Sequence, residues 1–122
     1  MVPVGYAFGS IDEMGDGAFR KVRRELGVTA FGVNVLVLPP GIEGRPHYHD
    51  EQDELYFVHR GRAQFQVGGE SRELGPGDMC HVESTTPRRL TSIGDEDLVM
   101  LVVGAKGGYV GRDGHPAEPG SY

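Results

Sequence analysis

Residues 41–61 of the chain read GIEGRPHYHDEQDELYFVHRG. His47 and His49 are two residues apart, so in an extended strand both side chains point to the same face. The polar residues 50–53 predict a turn, after which Glu54 returns on a neighbouring strand. Two imidazoles and a carboxylate are a ligand set that divalent transition metals accept. The stretch therefore predicts a hairpin whose three ligands converge on one metal ion.

Two glycines extend this pattern on either side of the ligands. Five residues separate Gly41 from His47, and six separate Glu54 from Gly61. In the spacing of these five fixed positions, counting His49, the chain resembles the first motif of the cupin superfamily. The resemblance implies an all-β fold, a double-stranded β-helix (jelly-roll) barrel. It also implies a homodimer, because small cupins typically pair through strands and arms.

The second motif of that superfamily is degenerate in this chain. Starting from the glycine at Gly77, the next four motif positions hold Glu83, Thr85, Arg88 and Ser92. The resemblance implies a histidine as the fourth metal ligand at the position that Arg88 occupies. An arginine stays protonated in proteins and cannot coordinate a metal. The fourth ligand is therefore missing.

The missing ligand leaves three interpretations open. In the first, the two histidines and Glu54 hold one divalent ion (iron, manganese, nickel or zinc) with positions left for water or substrate. In the second, no metal is bound, and Arg88 and the histidines hold an anionic small molecule. In the third, His81 or Asp53 replaces the lost ligand, although strand alternation places His81 on the opposite face of the sheet from Val82.

Arg88 and Tyr56 are the candidate substrate-binding residues. A guanidinium near a divalent ion is repelled by it, so we expect Arg88 either to turn towards a carboxylate such as Glu83 or to hold an anion between itself and the metal. A carboxylate suits the planar fork of guanidinium donors. Tyr56 shares strand parity with Glu54, which predicts that it lines the same interior as a packing residue or a proton donor.

These residues predict a metal-binding barrel that binds or transforms a small anionic molecule. We expect this molecule to be a carboxylate, because a carboxylate suits the guanidinium of Arg88. If the site is catalytic, the resemblance implies a metal-dependent oxygenase or an isomerase-like reaction. The alternative is a non-catalytic module that binds or senses a small molecule without a tightly bound metal. Fold alone does not decide between them.

Size, charge and cysteine content limit the number of domains, the kinds of partner and the cellular location that we expect. The 122 residues predict a single domain, and 18 acidic against 12 basic residues give a net charge of -6, which argues against nucleic acid as a partner. No apolar run approaches the ~20 residues of a membrane span, so no membrane partner is expected. The N-terminus lacks the features of a secretory signal, and the lone Cys80 cannot form an internal disulfide. We therefore expect a cytoplasmic protein.

The frequent glycines, 20 in the chain, break it into short segments typical of an all-β barrel. Residues 1–30 are expected to form an N-terminal arm, in which residues 19–26 are ambiguous but favour an extended strand. Residues 105–122 are a glycine-rich C-terminal tail that is too poor in apolar residues to build core, and we expect it to wrap the surface or fray. The predicted strands between these segments are Phe31–Leu38, Arg45–His49, Glu54–His59, Ala63–Val67, Met79–Glu83, Arg88–Thr91 and Leu98–Val103.

Overall fold

The computed structural model describes residues 5–122, and the regular secondary structure in this range is almost entirely β-strand. One short α-helix and a single 3-10 turn at Ile11–Glu13 interrupt the N-terminal part. The elements in chain order are β1 (Phe19–Arg20), α1 (Val22–Leu26), β2 (Gly32–Leu38), β3 (His47–His49), β4 (Asp53–Arg60), β5 (Ala63–Val67), β6 (Glu70–Leu74), β7 (Met79–Val82), β8 (Arg88–Ser92), β9 (Leu98–Ala105) and β10 (Gly114–Pro116).

The strands form two antiparallel five-stranded sheets. The first has the order β1-β2-β9-β4-β7 and the second the order β10-β3-β8-β5-β6. Consecutive strands thus often lie in different sheets, as in a jelly roll, and the all-β double-stranded barrel expected from the sequence is confirmed. No helix within residues 5–122 combines the length and the apolar character that crossing a bilayer requires.

The core lies between the two sheets, because each strand turns alternate side chains inward. Tyr56 of the first sheet packs edge-on against Phe65 of the second, with ring centroids 4.9 Å apart. Tyr56 and Val58 are buried together with Glu54, as their shared parity predicts. The buried core consists of Leu38, Tyr56, Val58, Ala63, Phe65, Leu74, Val82, Leu90, Leu98 and Met100.

Three secondary-structure predictions need correction. The first concerns the C-terminal tail, which was expected to wrap the surface or fray but contributes β10 to the second sheet, paired with β3. Residues 19–26 are extended only at Phe19–Arg20; the rest forms α1, which ends at Gly27 in the left-handed conformation and packs on β2. Val22 and Leu26 have the spacing of a helix face and also fit the alternation of a strand, and the structure follows the helical pattern. Strand β6 was not predicted, because its first four residues are exposed and polar. Gly68 and Gly69, both at positive φ, form the hairpin turn that leads into it.

One glycine of the motif is required by close packing. Gly61 has φ +80, and a Cβ there would lie 2.4 Å from the carbonyl oxygen of Asp97. A side chain at this position would force β4 and the loop before β9 apart. The motif spacing therefore reflects a constraint of the barrel as well as the positions of the ligands.

Candidate metal centre

Three side chains meet between the two sheets, close to one end of the barrel. One ligand atom from each of His47, His49 and Glu54 lies within 4.8 Å of the other two. Nε2 of His49 is 3.0 Å from Oε1 of Glu54, and Nε2 of His47 is 3.6 Å from the same oxygen. These three are the residues that the sequence analysis brought together.

The route by which they meet differs from the predicted hairpin. Strand β3, which carries both histidines, belongs to the second sheet, whereas β4, which carries Glu54, belongs to the first. The turn at residues 50–52 therefore crosses from one sheet to the other instead of joining hydrogen-bonded neighbours. The ligands consequently converge across the barrel interior, which encloses them more fully than one sheet face would.

The other ring nitrogen of each histidine is held by an acceptor. Nδ1 of His47 lies 3.1 Å from the carbonyl oxygen of Arg45, and Nδ1 of His49 lies 2.9 Å from Oδ1 of Asp113. A carbonyl or a carboxylate only accepts, so each Nδ1 donates, and a neutral ring then offers the lone pair of Nε2. This is the arrangement that histidine ligands of metals usually have.

Nε2 of His49 is itself buried without a hydrogen-bond partner among the described residues. Although Glu54 lies 3.0 Å away, the two atoms are not aligned for a hydrogen bond. A buried polar atom without a partner is costly, and the shared direction of the three donors indicates that a cation belongs between them. The residues present therefore fit a divalent transition metal.

The charge state of Glu54 also suits a metal ligand. Burial raises the pKa of its carboxyl, but the nearby imidazoles of His47 and His49 and the hydrogen bond from Tyr56 outweigh burial and hold the pKa well below its usual range. The Tyr56 hydroxyl donates to Oε1 at 2.5 Å. Burial and the Glu54 charge in turn raise the Tyr56 pKa well above 10, so the phenol stays protonated. Glu54 is thus an anion near neutral pH, as coordination requires.

Arg88 occupies the position of the missing ligand, and within residues 5–122 its guanidinium contacts backbone carbonyl groups and no carboxylate. It is fully buried on β8, where its Cα lies opposite that of His47. Its terminal nitrogens lie 3.2 to 3.5 Å from the carbonyl oxygens of Val82, Glu83 and Ser84, and its Nε has no partner within residues 5–122. The expectation that it turns towards the Glu83 carboxylate was wrong, because it contacts the Glu83 backbone instead.

Neither proposed replacement ligand reaches the centre. His81 is exposed on β7 opposite Leu55, on the outer face of the sheet, as alternation predicts. Asp53 accepts a hydrogen bond from the Ser84 amide at 3.0 Å and lies 3.8 Å from Nζ of Lys106. Among the described residues the cluster therefore has three members and no fourth protein ligand.

A cavity of about 620 Å³ opens onto the metal centre. Its wall includes the three ligands, Tyr56, residues of β2 and β9, and residues 109–112 of the C-terminal segment. Two exposed arginines, Arg45 and Arg112, also line it, and neither forms an ion pair within residues 5–122. Arg88 is not part of the lining among these residues. The cavity is thus large enough for a small molecule and carries positive charge near its opening.

Asp113 is the functional residue that the sequence did not indicate. It is only 7% exposed and accepts hydrogen bonds from His49 and from the backbone amides of Glu51 and Gln52. It lies in the glycine-rich tail, where a single acidic residue carries no local signal. Only the pairing of β10 with β3, which places Gly114 opposite His49, brings it to the site.

The chain is thus a small antiparallel two-sheet β-barrel with a His/His/Glu cluster between its sheets. The family model described as Cupin domain matches residues 34–104, more than half of the chain. The chain belongs to the cupin family.

Three known proteins illustrate what the chain is similar to. An oxalate-binding protein of Thermotoga maritima is 30% identical over 68 residues, 56% of either chain, so the match spans little more than half of that relative. An uncharacterized protein of Streptomyces coelicolor is 34% identical over 88 residues, 72% of this chain and 79% of the other. The crystal structure of a cupin protein of Bacteroides fragilis superposes with a TM-score of 0.72 at 23% identity, covering 84% of this chain and 85% of that one.

Proposed function

We propose that this protein is a metal-dependent cupin that binds or transforms a small carboxylate. His47, His49 and Glu54 would hold one divalent transition metal, from the set iron, manganese, nickel and zinc. The observation that carries the proposal is that three ligand atoms lie within 4.8 Å of one another, while the buried Nε2 of His49 has no hydrogen-bond partner within residues 5–122. Such a metal supplies Lewis acidity or redox chemistry, and three protein ligands leave positions for a substrate.

The cavity supports an anionic ligand. Arg45 and Arg112, which form no ion pair within residues 5–122, bring two cations to the cavity lining of a protein whose net charge is -6. There they would attract an acid and orient it towards the metal centre. The oxalate-binding relative, at 30% identity, is consistent with a small carboxylate. A dicarboxylate is the simplest ligand for such a site, with one end at the metal centre and the other at the arginines.

Tyr56 and Arg88 have different parts in this proposal. Tyr56 lines the cavity, and its hydroxyl group donates a hydrogen bond to Glu54. A ligand beside Glu54 would therefore lie next to a protonated phenol. Arg88 would act on the ligand through its charge from behind the lining, and direct contact between the two stays a prediction.

The alternative function is a module that binds or senses an anion without a tightly bound metal. One observation favours it: Arg88 is a permanent cation directly beside the strand that carries both histidines. Its charge disfavours a divalent ion and favours an anion at the same place. In that case the histidines and Arg88 would recognise the acid together, and no turnover would be expected.

Elemental analysis combined with native mass spectrometry of the purified protein separates the two functions. The proposal expects about one divalent ion per chain and, after metal loading, calorimetric binding of oxalate that disappears when the metal is removed with a chelator. A protein that binds oxalate equally well after chelation would support the alternative. A protein that binds neither would contradict both. The same spectra report the number of chains, which tests the homodimer prediction; cytoplasmic location also stays a prediction.

A further inference from the structure

Asp113 reaches the metal centre from outside the cupin motif. Its Oδ2 accepts the backbone amides of Glu51 at 2.8 Å and Gln52 at 3.0 Å. Its Oδ1 lies 2.9 Å from Nδ1 of His49 and accepts the side-chain amide of Gln52 at 2.7 Å. The Gln52 amide nitrogen also lies 3.1 Å from Nδ1, but its shorter contact is with the carboxylate, which leaves the Nδ1 proton for Asp113. Both oxygens of a buried carboxylate are thus committed to fixed partners, one of them a metal-ligand candidate. The contact therefore bears on the orientation and the protonation of the His49 ring as well as on the packing of the tail.

The backbone on either side of Asp113 has features that accompany this contact. Arg112 adopts a left-handed conformation at φ +56, which residues other than glycine seldom adopt. The next residue pair, Gly114 opposite His49, is in close contact, since a Cβ at Gly114 would lie 3.4 Å from Cε1 of the imidazole. Unfavourable backbone conformations of this kind persist where the surrounding contacts hold them.

We propose that Asp113 is a positioning residue for the metal centre, which fixes His49 in the tautomer that carries its proton on Nδ1 and leaves Nε2 free to bind the metal. This role rests on the proposed metal-dependent function. The physical reason is that an ionised carboxylate has no proton to donate. A nitrogen at 2.9 Å from it must be the donor, and a neutral imidazole has only one proton to place.

An asparagine at this position would reverse the tautomer. The amides of Glu51 and Gln52 both donate towards Oδ2. In an Asp113→Asn variant the amide oxygen would therefore occupy the Oδ2 position, and the NH2 group would face His49. Nδ1 would then have to accept, which moves the ring proton to Nε2, the atom that faces Glu54. A substitution that preserves shape would thus block the ligand.

The test measures the tautomer of His49 in metal-free protein labelled with ¹⁵N-histidine, by two-bond ¹⁵N–¹H NMR couplings at a pH where the ring is neutral. Wild type should carry the proton on Nδ1, and Asp113→Asn should carry it on Nε2. Zn²⁺ affinity of the variant should fall by about 10- to 100-fold, the usual effect of losing an outer-shell partner. Asp113→Glu should restore the wild-type tautomer, at least in part.

Asp50→Asn is the matched control. Asp50 follows His49 directly and contacts His115 of β10 at 2.6 Å, but on the exposed side of the strand pair. The same chemical change there should leave both the tautomer and Zn²⁺ affinity unaltered. A wild-type His49 protonated on Nε2 would overturn the role of Asp113 even if the variant did not fold. Failure of wild type to bind metal appears in the titration alone, and it would contradict the proposed function instead.

Discussion

Strand β3, which carries both histidines, lies between two strands that place opposite charges beside it. On one side, β8 sets the guanidinium-bearing residue Arg88 opposite His47. On the other side, β10 sets Gly114 opposite His49 and brings in the carboxylate of Asp113. The cation disfavours a divalent metal, whereas the anion favours it by polarising a ligand. Under the proposed function, the metal affinity of the site would depend on the balance between these two neighbours.

The two neighbours also differ in how they relate to the family. Arg88 lies inside the region matched by the cupin model, residues 34–104, and Asp113 lies beyond it. The residue that we expect to oppose metal binding thus lies inside the matched region, and the carboxylate that we expect to support it lies outside. The two expected effects can be tested separately.

The largest effect is expected from His49→Ala, because His49 is the ligand that Asp113 contacts. Removing a buried ligand should lower Zn²⁺ or Mn²⁺ affinity by more than about a hundredfold, beyond the usual effect of an outer-shell residue. Isothermal titration of metal-free protein measures it. His59→Ala is the control, since His59 is exposed on β4 and outside the cluster. Equal affinity in the two variants would show that the metal binds elsewhere.

Restoring a histidine on β8 should remove the asymmetry between the two neighbours. Arg88→His should tighten metal binding by at least about tenfold, the factor that ~1.4 kcal/mol of relieved repulsion provides. Arg88→Met removes the charge without adding a ligand and should give a smaller gain. The difference between the two variants isolates coordination by the new imidazole. Lower affinity in both folded variants would show that the guanidinium supports the site instead of opposing it.

The resemblance to the cupin superfamily predicted the barrel, and local spacing predicted which three side chains would meet. Two histidines at strand parity share a face wherever the strand lies, and Gly61 keeps its place because a side chain would meet Asp97. Parity likewise placed Tyr56 inside and His81 outside. These statements needed no knowledge of which strands pair.

What the sequence could not predict depends on pairing between distant segments. The connection from β3 to β4 crosses between the sheets, but its sequence looks like that of a hairpin, because a polar turn can make either connection. Asp113 is 64 residues from the histidine that it contacts, and nothing in its glycine-rich surroundings indicates burial. The Arg88 guanidinium contacts the backbone carbonyl groups of residues 82–84. Because every residue has a carbonyl group, no residue type in the sequence indicates this contact.

A smaller effect is expected at the cavity lining, where charge acts on the ligand and not on the metal. Replacing Arg45 and Arg112 together by alanine should weaken oxalate binding to metal-loaded protein several-fold, since exposed charge pairs contribute roughly 0.2 to 1 kcal/mol each. Metal affinity should stay the same. The control replaces Arg62 and Arg72, which are exposed and paired with glutamates elsewhere. If both double variants lost affinity equally, the effect would reflect net charge alone.

The smallest effect is expected from Tyr56→Phe, which keeps the ring in the core and removes only the hydroxyl that donates to Glu54. Hydrogen bonds to a charged group contribute about 1.5 to 3 kcal/mol, but the metal-bound carboxylate needs this donor less than the free one does. The variant should therefore unfold at lower temperature when metal-free, and metal should recover most of the loss. Tyr48→Phe, whose ring stacks on His115 outside the site, should show no such recovery. A Tyr56→Phe protein equally destabilised with and without metal would mean that the hydroxyl serves packing alone and that Glu54 does not bind the ion.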